Sequence, residues 1–326
     1  MGSRGNVLVT GGAGFIGSHL VERLLRDGHT VTIIDDCSTG SLQNLAAVRR
    51  HPDLTIIQSS VSDCADLPVL CAQASFIIHL AAAVGVELVV QSPVRTIETN
   101  LQETEVLLLS ASTSSTPVLL ASTSEVYGKS STPSFTEDDD LLIGPPTLGR
   151  WSYACSKLMD EFLAMAYHHE RKLPIIIARL FNTVGPRQTG RYGMVLPRFV
   201  EAALRNEPLI VFGNGDQTRC FCHVNDTVEA ITRLQLTPTA IGEVINIGST
   251  EEISIADLAQ RVITLLNSKS EIRIVPYSDA YPPGFEDMPR RKPSIEKLRR
   301  LTGFAPAKPL DATITSVAQA LQAPTR

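Results

Sequence analysis

Short apolar runs alternate with amphipathic stretches along the first half of the chain. Six runs are apolar at consecutive positions, as strands covered on both faces require. They are residues 6–10, 30–35, 54–58, 75–81, 117–123 and 174–181. After the first run, Leu20, Leu24 and Leu25 recur at helical spacing, and Gly28 is a typical helix end. The alternation predicts an α/β fold in which a doubly wound parallel sheet carries helices on both faces.

The pattern changes beyond about residue 183, where the apolar runs become shorter and a proline-rich stretch follows at 281–293. We expect residues 1–182 to form one lobe and residues 183–326 a smaller second lobe, with an approximate boundary and some exchange of strands. No repeat or long polar linker separates the two. They should therefore share a cleft, and open α/β sheets bind ligands at the carboxyl ends of their strands.

Composition and charge narrow the classes of function. Of the 326 residues, 43% are hydrophobic and 19% are charged, which is typical of a folded globular protein. The net charge of −5 provides no general basic surface for a nucleic-acid backbone. No apolar run reaches the about 18 residues that span a bilayer, and the N-terminal residues lack the order of a signal peptide. We expect a soluble, cytoplasmic protein.

The six cysteines show no metal-binding spacing. None belongs to a Cys-x-x-Cys pair or to a His–Cys cluster of the kind that holds zinc. Cys220 and Cys222 flank Phe221 at the two-residue spacing of a strand, which places both thiols on one face. Core packing explains this pair better than metal binding does, so we expect reduced thiols and no metal site.

A glycine-rich turn follows the first strand. Gly11, Gly14 and Gly17 stand between that strand and the predicted helix, with Phe15 and Ile16 at the helix start. In this context Gly11 permits the tight turn, Gly14 lets a pyrophosphate approach the backbone, and Gly17 lets the helix pack closely on the strand. Free N–H groups at the helix start would then bind the phosphates of a dinucleotide.

Two carboxylates follow the second strand. Asp35 comes 24 residues after Gly11, close to the spacing expected for a carboxylate that binds the adenosine ribose. Asp36 adds a second negative charge, and no arginine follows closely. Because a carboxylate repels a 2′-phosphate, the pair predicts NAD rather than NADP as the cofactor.

A tyrosine and a lysine stand four residues apart in a segment with helical periodicity. Tyr153 and Lys157 therefore lie on one face of a helix. A tyrosine with a pKa of about 10 is a poor base at neutral pH, but a neighbouring ammonium group and an oxidised nicotinamide both favour the phenolate. Such a pair alone is common on surfaces. Together with the glycine-rich turn, it predicts Tyr153 as a general base.

Four motifs in order make the sequence resemble the extended short-chain dehydrogenases/reductases that act on nucleotide sugars. They are GGAGFIG at 11–17, ASTSEVYG at 121–128, YACSK at 153–157 and RLFNTVGPR at 179–187. The resemblance implies a Rossmann-like lobe that binds NAD, a second lobe that binds a UDP-sugar, and transient oxidation at C4 of the sugar. It also implies a homodimer formed through the helix of the Tyr/Lys motif and its neighbour.

The resemblance also assigns residues to the site. It implies that Thr123 hydrogen-bonds the C4 oxygen, that Tyr153 is the base, and that Lys157 holds the nicotinamide ribose. Further cofactor contacts are expected at Ser60, Val61, Leu80 and Asn100, and substrate contacts at Asn182, Arg187, Arg219 and Arg291. Ser60 is a departure, because many relatives carry an acid at that place.

The residues after Thr123 indicate which reaction follows the oxidation. The sugar 4,6-dehydratases of this family place an Asp-Glu pair there, whereas this chain has Ser124 and Glu125. Thr-Ser-Glu instead resembles the UDP-glucuronate decarboxylases, as does the Arg-Lys-Pro at 291–293. Once C4 is a ketone, the C6 carboxylate can leave as carbon dioxide while Thr123 and Tyr153 stabilise the enolate.

Two charged residues are candidates for that step. Arg291 is the predicted clamp on the C6 carboxylate, because a guanidinium pairs with it bidentately. A solvated basic run is an equal alternative, since Arg290 and Lys292 flank it. Glu125 is predicted to position the sugar ring or to relay a proton to C5. The alternative is a strand-end carboxylate bound by backbone N–H groups.

Two other functions stay open. The segment 79–100 looks more like UDP-sugar 4-epimerases, and the loop 185–199 departs from that of the decarboxylases. A 4-epimerase of UDP-glucose or UDP-glucuronate is therefore the alternative. A non-catalytic NAD-binding scaffold is a remote third possibility, because such proteins typically lose the Tyr or the Lys that this chain retains.

Overall fold

The computed structural model describes residues 5–83, 92–188, 194–280 and 286–323. Its strands are β1 Asn6–Thr10, β2 Thr30–Ile34, β3 Leu54–Ile57, β4 Phe76–His79, β5 Val118–Thr123, β6 Ile175–Leu180, β7 Thr183–Val184, β8 Leu209–Phe212, β9 Thr218–Cys220, β10 Cys222–His223, β11 Val244–Ile247, β12 Glu252–Ser254, β13 Ile272–Val275 and β14 Arg290–Arg291. Seven of them form a parallel sheet in the order β3-β2-β1-β4-β5-β6-β11. The predicted doubly wound α/β fold is confirmed, and its strand order changes direction between β1 and β4, where such sheets bind ligands.

Helices cover both faces of this sheet and build the second lobe. They are α1 Phe15–Arg26, α2 Leu67–Gln73, α3 Pro93–Ser114, α4 Ser152–Arg171, α5 Val195–Arg205, α6 Val224–Gln235, α7 Ile255–Leu265, α8 Tyr277–Ala280, α9 Glu296–Thr302 and α10 Leu310–Gln322. Two 3₁₀ turns, Ser124–Tyr127 and Gly149–Trp151, lie beside the cleft.

The apolar strands bury side chains on both faces of the sheet, as their unbroken hydrophobic runs predict. In β1, Val7 and Val9 pack in one cluster with α1 and α6, whereas Leu8 packs in a second cluster with α3 and α4. All three side chains are fully buried. Burying one such side chain contributes on the order of 1.5–3 kcal/mol, so the sheet is fixed from both sides.

The chain passes between the two lobes more than once. β11 pairs in parallel with β6, with Val244 opposite Ile177, so a strand from beyond residue 182 completes the sheet. α6 packs with α1 in the same apolar cluster. A separate core between α5, α7 and α10 supports β8 in the second lobe. Residues 1–182 therefore do not contain the whole sheet lobe. β11 covers the edge of the sheet at β6, and α6 covers the sheet face that also carries α1.

A cleft of about 700 Å³ opens where β1, β2, β4, β5 and β6 end and the second lobe begins. Its walls come from both lobes.

No helix in the described segments combines the length and the apolar character needed to cross a membrane. Within those same segments, no group of three or more His, Cys, Asp or Glu side chains is placed to hold a metal ion.

Candidate active site

The glycine-rich turn joins β1 to α1 at one end of the cleft. Gly11 has a φ of +72°, and a Cβ on it would lie 2.8 Å from the backbone nitrogen of Ala81, so only glycine fits this turn. A Cβ on Gly17 would overlap the carbonyl oxygen of Gly11. Gly14 lines the cleft, and a Cβ on it would meet only the Gly11 oxygen, at 3.2 Å. The turn thus leaves an open cradle at Gly14 of the shape that a pyrophosphate fills.

Asp35 follows β2 beside this cradle. Its carboxylate accepts hydrogen bonds from the backbone N–H groups of Ala13 and Cys37, each at 2.8 Å. Burial raises the pKa of Asp35, and these two bonds oppose the rise. A carboxylate offers about four acceptor positions, so Asp35 retains capacity for a ribose hydroxyl. Asp36 also lines the cleft and adds a second negative charge there.

The loop after β3 carries the serine that departs from the family pattern. Ser60 donates to Asp63 at 2.7 Å, and the backbone N–H of Val61 donates to Glu103 at 2.6 Å. Glu103 lies on α3 and lines the cleft, so an acid reaches this loop from a helix. Sequence reasoning missed Glu103, although its i+3 spacing from Asn100 places both on one helical face.

The predicted cofactor residues that line the cleft are Gly11, Gly14, Phe15, Ile16, Gly17, Asp35, Asp36, Ser60, Val61, Leu80, Tyr153 and Lys157.

Asn100 is buried behind the cleft and is not among its lining residues. Its side-chain oxygen accepts from the backbone N–H of Ala83 at 2.8 Å, and its amide donates to the Ser156 hydroxyl at 3.1 Å. Asn100 therefore ties the loop after β4 to α4. This is a supporting position rather than a direct contact with a ligand in the cleft.

The predicted catalytic pair lies in the same cleft. Thr123 ends β5 and Tyr153 lies in the first turn of α4, and the Thr123 hydroxyl acts to lower the pKa of the Tyr153 phenol. Ser124 and Lys157 also line the cleft. A ligand oxygen beside this pair can contact both hydroxyl groups, as the C4 oxygen of a sugar requires.

The charges around Tyr153 differ from the expectation. Burial raises the pKa of Tyr153 above its usual range, and the Glu125 carboxylate raises it further. Lys157, which we expected to lower this pKa, donates to Asp160 at 2.8 Å, and both side chains are buried. Burial, then Glu125, then Asp160, which pairs with Lys157, therefore oppose ionisation of the Tyr153 phenol. Sequence reasoning missed Asp160, although it lies one helical turn from Lys157.

Glu125 follows Thr123 and is shared by two arginines. Arg150 Nη1 lies 2.5 Å from Glu125 Oε2, and Arg291 Nη1 lies 3.2 Å from Oε1. The side chains of Arg150, Arg291 and Glu125 are 4%, 10% and 11% exposed. Burial opposes ionisation of Glu125, but Arg150 and then Arg291 bring its pKa down to about 2. Glu125 is thus a carboxylate at neutral pH, with charged partners in place of the backbone N–H groups considered from the sequence.

A second carboxylate completes this group of charges. Asp287 Oδ2 accepts from Arg219 Nη2 at 2.8 Å, and Asp287 Oδ1 lies 3.6 Å from Arg291 Nη2 and 3.8 Å from Arg150 Nη2. We call these three arginines, with Glu125 and Asp287, the arginine cluster; all five line the cleft. Three cations face two carboxylates. Burial and the nearby Arg291 lower the pKa of Arg219 to about 10, as an excess of positive charge would.

The predicted substrate residues do not all come together. Asn182 and Arg219 line the cleft with Arg291, and the Asn182 amide donates to the Cys220 carbonyl at 3.2 Å. Arg187 instead donates to Glu22 on α1 at 2.6 Å and is not among the lining residues. This ion pair holds Arg187 against the first lobe. The buried position of Arg291 differs from the solvated basic run considered from the sequence.

The second lobe contributes lining residues that no sequence motif indicated. They include Met194, Val195, Arg198, Ile210, Phe212 and Gln217. The Arg198 guanidinium lies 4.8 Å from the centre of the Phe212 ring. Flat apolar and cationic groups together suit a nucleotide base and its phosphates.

Comparison with known proteins agrees with this geometry. The family model described as GDP-mannose 4,6-dehydratase matches residues 8–317. A UDP-N-acetyl-α-D-glucosaminuronate decarboxylase of Bacillus cytotoxicus is 44% identical over 304 residues, which cover 92% of each protein. UDP-glucuronic acid decarboxylase 1 of Danio rerio is 34% identical over 317 residues, which cover 97% of this chain and 72% of the relative.

Solved structures with the same fold include two 4-epimerases. The UDP-glucuronic acid 4-epimerase of Bacillus cereus, in complex with UDP-glucuronic acid and NAD, superposes with a TM-score of 0.87 at 28% identity, over 97% of this chain and 99% of that one. A UDP-N-acetylglucosamine 4-epimerase of Methanobrevibacter ruminantium, in complex with UDP-N-acetylmuramic acid, has a TM-score of 0.88 at 29% identity, over 98% of each chain. The resemblance found in the sequence motifs is confirmed.

Proposed function

The chain belongs to the GDP-mannose 4,6-dehydratase family, and on that premise we propose that it is an NAD-dependent enzyme that decarboxylates a UDP-hexuronate. Two relatives at 44% and 34% identity are named decarboxylases of such substrates. A structural relative at 28% identity is in complex with UDP-glucuronic acid and NAD. The physical support lies in how the cleft residues fit the cofactor and the substrate.

The glycine-rich turn and the two carboxylates after β2 fit NAD. The cradle at Gly14 leaves room for the pyrophosphate, and the first N–H groups of α1 are available to it. Asp35 retains acceptor capacity for the ribose hydroxyls, while Asp35 and Asp36 together disfavour a 2′-phosphate. NAD held by the glycine-rich turn and Asp35 would supply a reversible hydride acceptor.

Thr123 and Tyr153 are placed to act on the C4 oxygen of the sugar. Tyr153 takes the hydroxyl proton while the hydrogen on C4 leaves as a hydride, which requires an ionised phenol. Ionisation is favoured when a positively charged nicotinamide lies beside Tyr153, because that charge opposes the effect of burial. Thr123 keeps its hydrogen bond to the oxygen as the ketone forms.

The ketone at C4 makes the C6 carboxylate part of a β-keto acid. The bond between C5 and C6 breaks, carbon dioxide leaves, and the bonding electrons form an enolate. Thr123 and Tyr153 stabilise its oxygen by hydrogen bonds. A proton then adds at C5 and the hydride returns to C4. Since Glu125 is ionised, its role in these steps is to accept a hydrogen bond from the sugar and not to store the proton for C5.

The arginine cluster is the observation that most directly supports a uronate as the substrate. Arg291 lines the cleft, its side chain is only 10% exposed, and its Nε has no hydrogen-bond partner among the described residues. A buried donor left without an acceptor is costly, and the C6 carboxylate of a uronate supplies one. The sugar of UDP-glucose carries no such group. Of the two uronates named in the relatives, the higher identity favours UDP-N-acetylglucosaminuronate.

The test is product mass after incubation with NAD and each of UDP-N-acetylglucosaminuronate, UDP-glucuronate and UDP-glucose. We expect loss of carbon dioxide from the uronates and no reaction with UDP-glucose. Tyr153→Phe should lose about 10²- to 10⁴-fold in rate, the usual contribution of a general base, while still binding NAD by calorimetry. Conversion of a uronate without loss of mass would support the second candidate, a 4-epimerase, to which the solved relatives point.

We further propose that the enzyme is a homodimer formed through α3 and α4. Exposed apolar side chains recur on α4 at Cys155, Met159, Phe162 and Ala166, spacings that keep them on one helical face. Phe162 is 66% exposed, and α3 likewise exposes Val94. A contiguous apolar stripe of this kind on a surface helix is typical of a protein–protein interface.

A further inference from the structure

The two arginines that share Glu125 differ in their surroundings. Arg150 belongs to the 3₁₀ turn that leads directly into α4, and its guanidinium lies 5.6 Å from the centre of the Trp151 ring. The indole is itself held, because its Nε1 donates to Glu286 at 3.2 Å. Arg150 is therefore fixed to the helix that carries Tyr153.

Arg291 has capacity for a second partner. It lies on β14, which pairs with β9 in the second lobe. Its Nε, like the Nε of Arg150, has no hydrogen-bond partner among the described residues, although the Arg291 side chain is only 10% exposed. Its distance to Glu125, 3.2 Å, is longer than the 2.5 Å from Arg150. Arg291 thus retains a buried donor that a substrate carboxylate can accept.

We propose that Arg150 is a positioning residue that holds the Glu125 carboxylate in place when the substrate carboxylate draws Arg291 toward itself. The proposal rests on the proposed function, because a uronate supplies that carboxylate. The cluster then contains three arginines and three carboxylates.

The reason is competition between two carboxylates for one cation. Carboxylates that lie close together raise each other's pKa. If Arg291 were the sole partner of Glu125, substrate binding would remove that partner and Glu125 would take up a proton. Arg150 prevents this because its contact with Glu125 does not involve the substrate. Its effect on the reaction therefore passes through Glu125.

A double-mutant cycle tests this dependence. Arg150→Gln should lower kcat for carbon dioxide release by about 10- to 100-fold, since misplacement of a positioning group by about 1 Å can cost about 10²-fold, and should leave KM nearly unchanged. In the Glu125→Gln background, Arg150→Gln should cause little further loss. Arg150→Lys should recover part of the activity by restoring the charge.

Two further variants complete the comparison. Arg291→Gln should raise KM for the uronate, because it removes the partner of the substrate carboxylate. Arg290→Gln changes the neighbouring exposed arginine, which pairs with Glu252 at 2.5 Å, and should match the wild type. Folding of every variant is checked by circular dichroism and by NAD affinity.

The outcomes are distinct. Equal losses from Arg150→Gln in both backgrounds, or a rise in KM like that of Arg291→Gln, would overturn the proposal, because Arg150 would then act on the substrate directly. A wild type that oxidises a uronate without releasing carbon dioxide defeats the proposed function alone. In that case the double-mutant cycle of Arg150 and Glu125 is measured by the rate of nicotinamide reduction, followed by ultraviolet absorbance, in place of carbon dioxide release. Turnover of UDP-glucose but of no uronate overturns both proposals.

Discussion

Lys157 and Asp160 form an ion pair whose side chains are only 3% and 0% exposed. Burial raises the pKa of Asp160, and the lysine opposes that rise. The Asp160 carboxylate in turn raises the pKa of Tyr153, after burial and Glu125. Asp160, which holds Lys157 in place, therefore works against ionisation of Tyr153, the proposed general base.

Asp160→Asn should shift the pH dependence of C4 oxidation to lower pH. Removal of the negative charge lowers the pKa of Tyr153, so the phenolate forms at a lower pH. The measurement is the single-turnover rate of nicotinamide reduction as a function of pH. A profile that is unchanged, or that moves to higher pH, would contradict this reasoning.

The free energy of unfolding of Asp160→Asn should also fall by about 3–5 kcal/mol, measured by thermal unfolding, because Lys157 is left as a buried charge without its partner.

Short sequence motifs predicted the cleft residues that lie within those motifs. Thr123 and Tyr153 were found because each belongs to a short motif, and both line the cleft. Arg150, in contrast, contacts Glu125 at a sequence separation of 25 residues, and Asp287 contacts Arg219 at a separation of 68. Such pairs arise from the approach of separate elements, which no spacing within one segment reveals. The same limit explains why Arg187 was expected in the cleft: its partner Glu22 lies on α1, at a sequence separation of 165 residues.

At the scale of elements, the turn between β1 and α1 does two separable things. Gly17 permits the close approach of α1 to the turn, because a Cβ on it would overlap the Gly11 carbonyl. Gly14 keeps the cleft open, because a Cβ on it would meet only one protein atom, at 3.2 Å, and would otherwise project into the cradle. One glycine therefore serves packing and the other serves binding.

Two matched variants separate these roles. Gly17→Ala should destabilise the fold by about 1–3 kcal/mol, the usual cost of overpacking, and should also weaken NAD binding because α1 is displaced. Gly14→Ala should leave the unfolding temperature close to that of the wild type but weaken NAD binding by about tenfold or more, equal to about 1.4 kcal/mol. Calorimetry of NAD binding and thermal unfolding measure both quantities. Equal losses of stability in the two variants would refute the division.

The strands of the first lobe were predictable because burial on both faces imposes an unbroken apolar run on each. β11 belongs to the shorter apolar runs beyond residue 183, and the sequence pattern did not identify its neighbour in the sheet. It lies 64 residues after the end of β6 and pairs with it, because β6 would otherwise be an exposed edge of the sheet. Local hydrophobic pattern fixes the type of an element, whereas the choice of partner depends on which edges remain uncovered.

At the scale of the whole molecule, both lobes are needed to complete the site. The first lobe supplies Thr123, Tyr153 and Glu125, and the second supplies Arg219 and Arg291. The exchange of β11 and α6 joins the lobes through the core. The same sheet places α3 and α4 together on one face, where their exposed apolar positions are free of the cleft.

Phe162→Glu should convert a dimer into a monomer. Phe162 lies in the middle of the apolar stripe on α4 and is 66% exposed, so a second copy of the same helix would bury it, and a carboxylate in that place would face an apolar partner. Leu236→Glu is the matched control, since Leu236 is 63% exposed at the end of α6 and lies outside the stripe. Sedimentation velocity should show a dimer for the wild type and for Leu236→Glu, and a monomer for Phe162→Glu. A wild type that sediments as a monomer, or a Phe162→Glu variant that remains a dimer, would exclude this face as the contact between copies. Because α4 also carries Tyr153, we expect the monomer to lose part of its kcat while its affinity for NAD, which depends chiefly on the turn before α1, changes little.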